Sequence, residues 1–317
     1  MKALVFDGQA RVRDVPAPKT KPGETLIHVT MAGICKTDVE IIAGYMDFRG
    51  ILGHEFVGTV AASPDPALLG VRVVGEINAG CGACDYCRQD LQRHCPSRTV
   101  LGIKGRQGAL AEYLTLPLTN LVAVPDTLSD EIAVFTEPVA AALEIMEQIR
   151  IEPSHTVAVI GDGKLGLLIS MVLRLTGCDP VLVGKHPEKM ALFSHLRGRT
   201  LPLDLFLQTD ERFDVVVEAS GNASGWNVAM KKVKPRGTVV LKSTYHGSLT
   251  FNPAALVIDE ITVVGSRCGR FAPALKLLDL GLVDPAPLIS GVFPLEQAEA
   301  ALRKAQEAGA FKVLVRM

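Results

Sequence analysis

The chain has 317 residues, 48% of them hydrophobic and 21% charged, with 33 Lys+Arg against 34 Asp+Glu and a formal net charge of −1. That length calls for two cores rather than one, and the balanced charge excludes a broad surface for nucleic acid or anionic membrane. No apolar run approaches the roughly 20 residues that span a bilayer, and the opening MKALVFDGQARVRD is too polar for a secretory leader. The expectation is a cytoplasmic chain whose thiols stay reduced.

Up to about residue 125, short apolar runs (KALVFD, ETLIHVTMAG, FVGTVAAS, VRVVGEI) alternate with Gly- and Pro-containing turns. This pattern predicts a β-rich, barrel-like domain. The stretch GCGACDYCRQDLQRHC interrupts it and holds Cys81, Cys84, Cys87 and Cys95, four of the chain's seven cysteines. An odd cysteine total with four bunched together reads as metal ligation rather than disulfides. Four thiolates form the closed tetrahedral set of a structural zinc. The competing reading is an iron–sulfur cluster, whose run is C-x2-C-x2-C-x3-C-P. Cys95 is followed by Pro96, but the last gap is longer and no second run matches.

The texture then changes. TEPVAAALEIMEQIR places Pro138 just inside a helix start, with Val139, Leu143, Met146 and Ile149 at helical spacing. Apolar strands at 156–161, 180–184, 213–220, 237–243 and 260–266 alternate with helices at 164–176, 187–196 and 224–233, which predicts a parallel, doubly wound sheet. The tail, 291–315, offers one amphipathic helix and one strand.

The first strand of this second half runs into Gly161, Gly163 and Gly166, a G-x-G-x-x-G between strand and helix. That context is the one a dinucleotide fingerprint requires. The three glycines serve a tight turn, close approach to a pyrophosphate, and helix–strand packing. Together with Lys164 and Leu165 they are expected to hold the cofactor at the helix N-terminus. NAD enzymes carry a carboxylate about 20 residues further on, for the ribose hydroxyls. The corresponding position here is Gly184, followed by Lys185 and His186. A missing carboxylate and two potential cations favour NADP over NAD.

A second metal set is scattered. Cys35 follows a strand-like run, His54 and Glu55 lie in GHEFVG, and Glu137 stands at the helix start. Separately each has an ordinary reading: a small core thiol, a hydrogen-bonded histidine, a helix-start carboxylate. Together, Cys, His and a carboxylate can hold a catalytic zinc with one position open.

The ordered combination of GIC-x-T-D, GHEFVG, the four-cysteine lobe, TEP, the G-x-G-x-x-G and VVVEASG resembles the zinc-dependent medium-chain dehydrogenases of the alcohol, polyol and threonine type. The resemblance spans the whole chain. It implies an α/β protein: a GroES-like β-rich catalytic domain over 1–139, with its structural zinc lobe at 80–96, completed by 267–317, and a Rossmann domain over 140–266. It implies two zinc ions per chain and hydride transfer between an alcohol (polyol, sugar alcohol or secondary alcohol) and NAD(P), giving a ketone or aldehyde. Cys35 and His54 match the catalytic zinc ligands. Glu137 matches the third ligand of the polyol branch, and Glu55 is a direct or exchanging one. Thr37 matches the proton-relaying hydroxyl, and Asp38 the partner that orients His54. Where many relatives place a relay histidine, this chain has Glu40.

Further expectations follow from the resemblance. The assembly is a homo-dimer or homo-tetramer. Tyr45, Phe48 and Arg49 are pocket or packing residues. KSTYHG (242–247) and GSRCG (265–269) lie near the nicotinamide, and Lys312 is near the pyrophosphate or on the surface. A zinc-free quinone or enone reductase and a non-catalytic dinucleotide-binding protein are the alternatives. The intact ligand set and glycines argue against both.

Overall fold

The computed structural model describes residues 1–196, 198–244 and 248–317. The chain divides into two units, Met1–Glu137 with Arg270–Met317, and Pro138–Gly269.

The first unit is built on a seven-stranded sheet. Its longest strand, Glu24–Ile34, pairs antiparallel with Glu55–Ala62, Tyr113–Pro117 and Lys312–Arg316. ETLIHV mixes buried and partly exposed positions, whereas MAGI is buried throughout, as expected where one end of a strand passes into the core. The C-terminal segment thus returns to the N-terminal unit, with Leu314 opposite Gly33 and Val313 opposite Ile34. Beside it runs a strand absent from the sequence reading, Ile289–Pro294, parallel to Lys312–Arg316 and at the sheet's edge. Its glycine and proline are tolerated because an edge strand needs hydrogen bonds on one side only.

The second unit is a six-stranded, wholly parallel sheet in the order Arg199–Pro202, Val181–Gly184, Val157–Ile160, Phe213–Glu218, Val233–Leu241, Thr262–Gly265. In chain order this is 3-2-1-4-5-6, the doubly wound arrangement. VAVI and VLVG are buried throughout, and Phe206, Phe213, Val216, Trp226 and Val239 fill one of its faces. The strand order reverses between Val157–Ile160 and Phe213–Glu218, so the crevice for a ligand opens at the carboxyl ends of those two strands. No helix among the described residues is long and apolar enough to cross a membrane.

Candidate active site and metal centres

Cys35 ends the run of the longest strand and caps the short helix Lys36–Ile42. His54 and Glu55 lie where the chain enters the neighbouring strand, Glu55 opposite Gly33. This pairing brings one ligand atom each from Cys35, His54 and Glu55 to within 4.8 Å of one another. His54 and Glu55 are buried and Cys35 is half-buried. Thr37 sits beside them, its hydroxyl 3.7 Å from the Cys35 sulfur. Glu137 stands in the first turn of the helix Thr136–Gln148 and is not in that set of three, although its charge is felt at the same buried lysine described below.

Asp38 holds the cluster together from behind. Its fully buried carboxylate accepts the Cys35 N–H at 2.8 Å and the Gly53 N–H at 3.0 Å. His54 Nδ1 lies 3.5 Å from Oδ1, the oxygen that also accepts the Gly53 N–H, an ion-pair distance without hydrogen-bond alignment. Burial pushes the Asp38 carboxyl up, but the His54 charge and the two backbone N–H groups outweigh this and hold it below its usual range. Burial likewise favours a neutral His54. Asp38 and Cys35 reverse that and raise the imidazole well above its ordinary value. A carboxylate behind Nδ1 leaves Nε2 for a metal, and its charge favours the tautomer with the proton on Nδ1.

The sequence reading missed the basic partner of this cluster. Lys312 is not a surface lysine. It is completely buried, and its ammonium is hydrogen-bonded to Glu55 Oε2. Burial lowers the lysine's affinity for its proton, but Glu55, Cys35 and Glu137 more than compensate and raise it above the ordinary value. The contact needs Gly33: a Cβ there would fall 2.3 Å from the Glu55 carboxylate, so only glycine lets that side chain cross the strand toward Lys312. A lone lysine inside the apolar run FKVLV was the available signal.

The donor set fits zinc. Thiolate, imidazole and carboxylate are its usual ligands, and three protein donors leave the fourth position for substrate.

The four-cysteine lobe gathers its sulfurs more tightly. One ligand atom from each of Cys81, Cys84, Cys87 and Cys95 lies within 4.8 Å of every other. Cys84 is 3.5 Å from Cys87 and 3.7 Å from Cys95, sulfur to sulfur. These spacings are far from the ~2.05 Å of a disulfide and near the ~3.8 Å that tetrahedral zinc with ~2.3 Å Zn–S bonds imposes. Backbone N–H groups of Ala83 and Cys84 hold the Cys81 thiol down to about 6, whereas burial and its neighbours push Cys87 up to about 11. Four sulfurs this close cannot all shed protons without a cation among them, so the lobe also fits its metal. His94 is not in the set.

In the second unit the glycine turn follows the strand Val157–Ile160 and opens the helix Lys164–Leu173. A Cβ on Gly166 would lie 1.8 Å from the Gly161 carbonyl oxygen, so helix and strand pack this closely only with glycine. At Gly163 a Cβ would meet nothing within 4 Å, which leaves backbone open to an approaching anion. Across the switch point, Glu218 accepts the Ser220 N–H at 2.8 Å and the Ser220 hydroxyl at 2.5 Å, shaping the turn after VVVE. Gly184 ends the second strand, and Lys185 and His186 follow it, both exposed.

Other candidates have structural duties. Glu40 pairs with Lys36 at 3.0 Å, Phe48 is buried, and Arg49 donates to the Asp7 carbonyl at 3.1 Å. Lys242 is buried, its ammonium donating to the Ala141 and Arg267 carbonyls and to Ser266 Oγ at 2.6, 2.9 and 3.2 Å. It clasps the loop 265–269. Tyr245, His246 and Gly247 of KSTYHG lie outside the described residues.

Comparison with known proteins agrees with this anatomy. Residues 21–126 match the family described as "Alcohol dehydrogenase GroES-like domain", and residues 165–280 match "Zinc-binding dehydrogenase". D-arabinitol dehydrogenase 1 of Uromyces fabae is 28% identical over 92% of this chain and 90% of its own length. The erythritol/L-threitol dehydrogenase of Mycolicibacterium smegmatis is 28% identical over 95% and 93%. Among solved structures, a zinc-binding dehydrogenase of Sinorhizobium meliloti bound to NADP superimposes with a TM-score of 0.90 at 28% identity, covering 100% of this chain and 99% of that one. The two matched segments, the sheet order and the paired sets of metal donors make this chain a member of the zinc-dependent medium-chain dehydrogenase family, an NAD(P)-linked alcohol oxidoreductase.

Proposed function

We propose that the chain oxidises a polyol, sugar alcohol or secondary alcohol, with NADP preferred to NAD, and reduces the matching ketone or aldehyde in reverse. The observation that carries this reading is the cluster of Cys35, His54 and Glu55, with the Thr37 hydroxyl beside it. The polyol class is supported by the arabinitol and erythritol/threitol enzymes among its relatives.

Cys35, His54 and a carboxylate, Glu137 or Glu55, hold the catalytic zinc in this reading. Lys312 neutralises whichever carboxylate the metal does not take. When bound, zinc supplies Lewis acidity to the substrate oxygen and the dinucleotide takes up hydride. The protein's own part is proton handling and alignment. Thr37 accepts the alcohol proton and passes it outward, and Asp38 keeps His54 in one orientation. Gly161, Gly163, Lys164, Leu165 and Gly166 cradle the pyrophosphate, and the 184–186 turn meets the adenosine end. Glu40, tied to Lys36, gives the relay no histidine equivalent, so the next carrier is a ribose hydroxyl or water. A panel of polyols, sugars and secondary alcohols assayed with NAD and NADP separately tests the reading. Turnover of none of them by zinc-loaded protein would refute it.

The four-cysteine lobe holds the second zinc and carries no chemistry, since four thiolates leave no open position. Cys84→Ala is expected to reduce bound zinc from two ions per chain to one and to lower Tm by about 5–10 °C, a loss of about 2–3 kcal/mol. Metal analysis and calorimetry check this. Loss of activity from a folded variant that keeps its catalytic zinc would contradict the division of labour. Holding thiolates also requires a reducing compartment, and the cytoplasm suits that need.

The assembly is a homo-dimer or homo-tetramer joined through the edge strand Thr262–Gly265. Val257 and Ile258 beside it are 76% and 77% exposed, and an apolar open edge is a template for a second copy. Ile258→Asp is expected to shift elution on gel filtration toward the monomer. An unchanged elution volume would remove this interface.

A further inference from the structure

The carboxylate that the sequence lacks at the end of the second Rossmann strand is supplied from elsewhere. Asp162, the first variable residue of G-x-G-x-x-G, points across the sheet and is buried. Its Oδ2 accepts the N–H groups of Lys185 and His186, each at 2.7 Å. The His186 ring nitrogen Nδ1 lies 3.0 Å from both of its oxygens. A Cβ on Gly184 would fall within 2.3–2.5 Å of the Asp162 side chain. Glycine at 184 is therefore the consequence of Asp162 standing in the space that the strand's own last side chain would fill.

We infer that Asp162 is a specificity-positioning residue that clamps the 184–186 turn and presents Lys185 and the outer edge of His186 to the 2′-phosphate of NADP. The inference rests on the NADP reading above. A carboxylate offers about four acceptor sites. Here two backbone N–H groups and a ring N–H already occupy it from within, so little remains for ribose hydroxyls. Receiving the Nδ1 proton directs the other ring nitrogen, Nε2, away from Asp162. Half of the His186 side chain is exposed. Burial raises the Asp162 carboxyl, and the His186 ring and the two backbone N–H groups outweigh it, so the clamp remains charged at neutral pH. Two backbone N–H dipoles and the His186 ring face that carboxylate, and the exposed Lys185 ammonium is left to offer positive charge outward.

The test uses the full-length protein and calorimetry with two probes, adenosine 2′,5′-bisphosphate and AMP, whose difference reports the 2′-phosphate alone. The parent is expected to bind the bisphosphate at least about tenfold more tightly, the scale of a charge-assisted contact. Asp162→Asn should cut that ratio about tenfold while AMP binding changes by less than about twofold. His186→Ala should cut the ratio by a similar factor, and the double variant should be no worse than either single one. An unchanged ratio in Asp162→Asn overturns the inference and leaves the NADP reading standing. A parent that prefers AMP overturns both, and weaker AMP binding in Asp162→Asn would then assign Asp162 to the ribose hydroxyls directly. Should Asp162→Asn fail to fold, His186→Ala decides alone, and an unchanged ratio there overturns the inference.

Discussion

Replacing Lys312 by methionine is expected to lower the unfolding free energy by about 3–5 kcal/mol in denaturant titration, the cost of breaking a buried ion pair from one side. Methionine fills the space of the lysine stem, so packing is nearly conserved and the lost charge dominates. Glu55 is left fully enclosed, its carboxylate facing Gly33 and the Cys35 thiol without the ammonium it was built against. Taking the ammonium away from a buried carboxylate is far costlier than losing a neutral contact. The double replacement Glu55→Gln with Lys312→Met should therefore recover most of the loss, because it removes both charges together. Zinc sharpens the measurement. If the ammonium and the metal share in neutralising the same carboxylates, the single variant loses less stability when zinc-loaded than after chelation. A Lys312→Met protein as stable as its parent in both states would mean that the pair contributes nothing.

Legibility in the sequence followed the distance between partners along the chain. The four cysteines fall within 15 residues, and the glycine turn within 6. Spacing exposes the first, and spacing with its strand-to-helix context the second; the four sulfurs gather and the glycines open a helix, as those patterns predict. The parallel sheet is equally readable because strands buried on both faces are continuous apolar words such as VAVI. Arg199–Pro202 escaped notice because RTLP sits at the sheet edge, where half-exposure and proline are tolerated. Lys312 was half legible: a lysine inside FKVLV signals burial but not its partner. Its partner is 257 positions away, and a charged residue in a strand has no local pattern that announces an ion pair. Asp162 lay inside a motif already read, but its partners are 23 and 24 positions on, so its role depends on the 2-1 strand adjacency of the sheet. Local chemistry was visible, and the side chains that tension it across strands were not.

Cys35→Ala is expected to abolish alcohol oxidation, by at least about 10³-fold in kcat/KM, and to reduce bound zinc by one ion per chain. Lewis-acid stabilisation of the reacting oxygen is worth several kcal/mol, and each 1.36 kcal/mol is about tenfold in rate. The structure indicates why the loss should be clean. Cys35 is half-buried at the end of a strand, and its backbone N–H, which an alanine retains, carries the Asp38 contact. The Asp38 bracket behind His54 therefore survives the substitution, and so does the Gly53 N–H that completes it. Only the sulfur disappears from the ligand set. The fold should remain, with a thermal midpoint near that of the parent, while cofactor binding in the second unit is unchanged. That combination is the reverse of the signature expected of Cys84→Ala, where stability falls and the catalytic metal stays. Two cysteines from one chain, each costing one zinc, would then separate by which property fails first. Alcohol oxidation at parental rates by Cys35→Ala, with zinc content verified, would remove Cys35 from the catalytic centre and with it the assignment of the buried cluster as the active site.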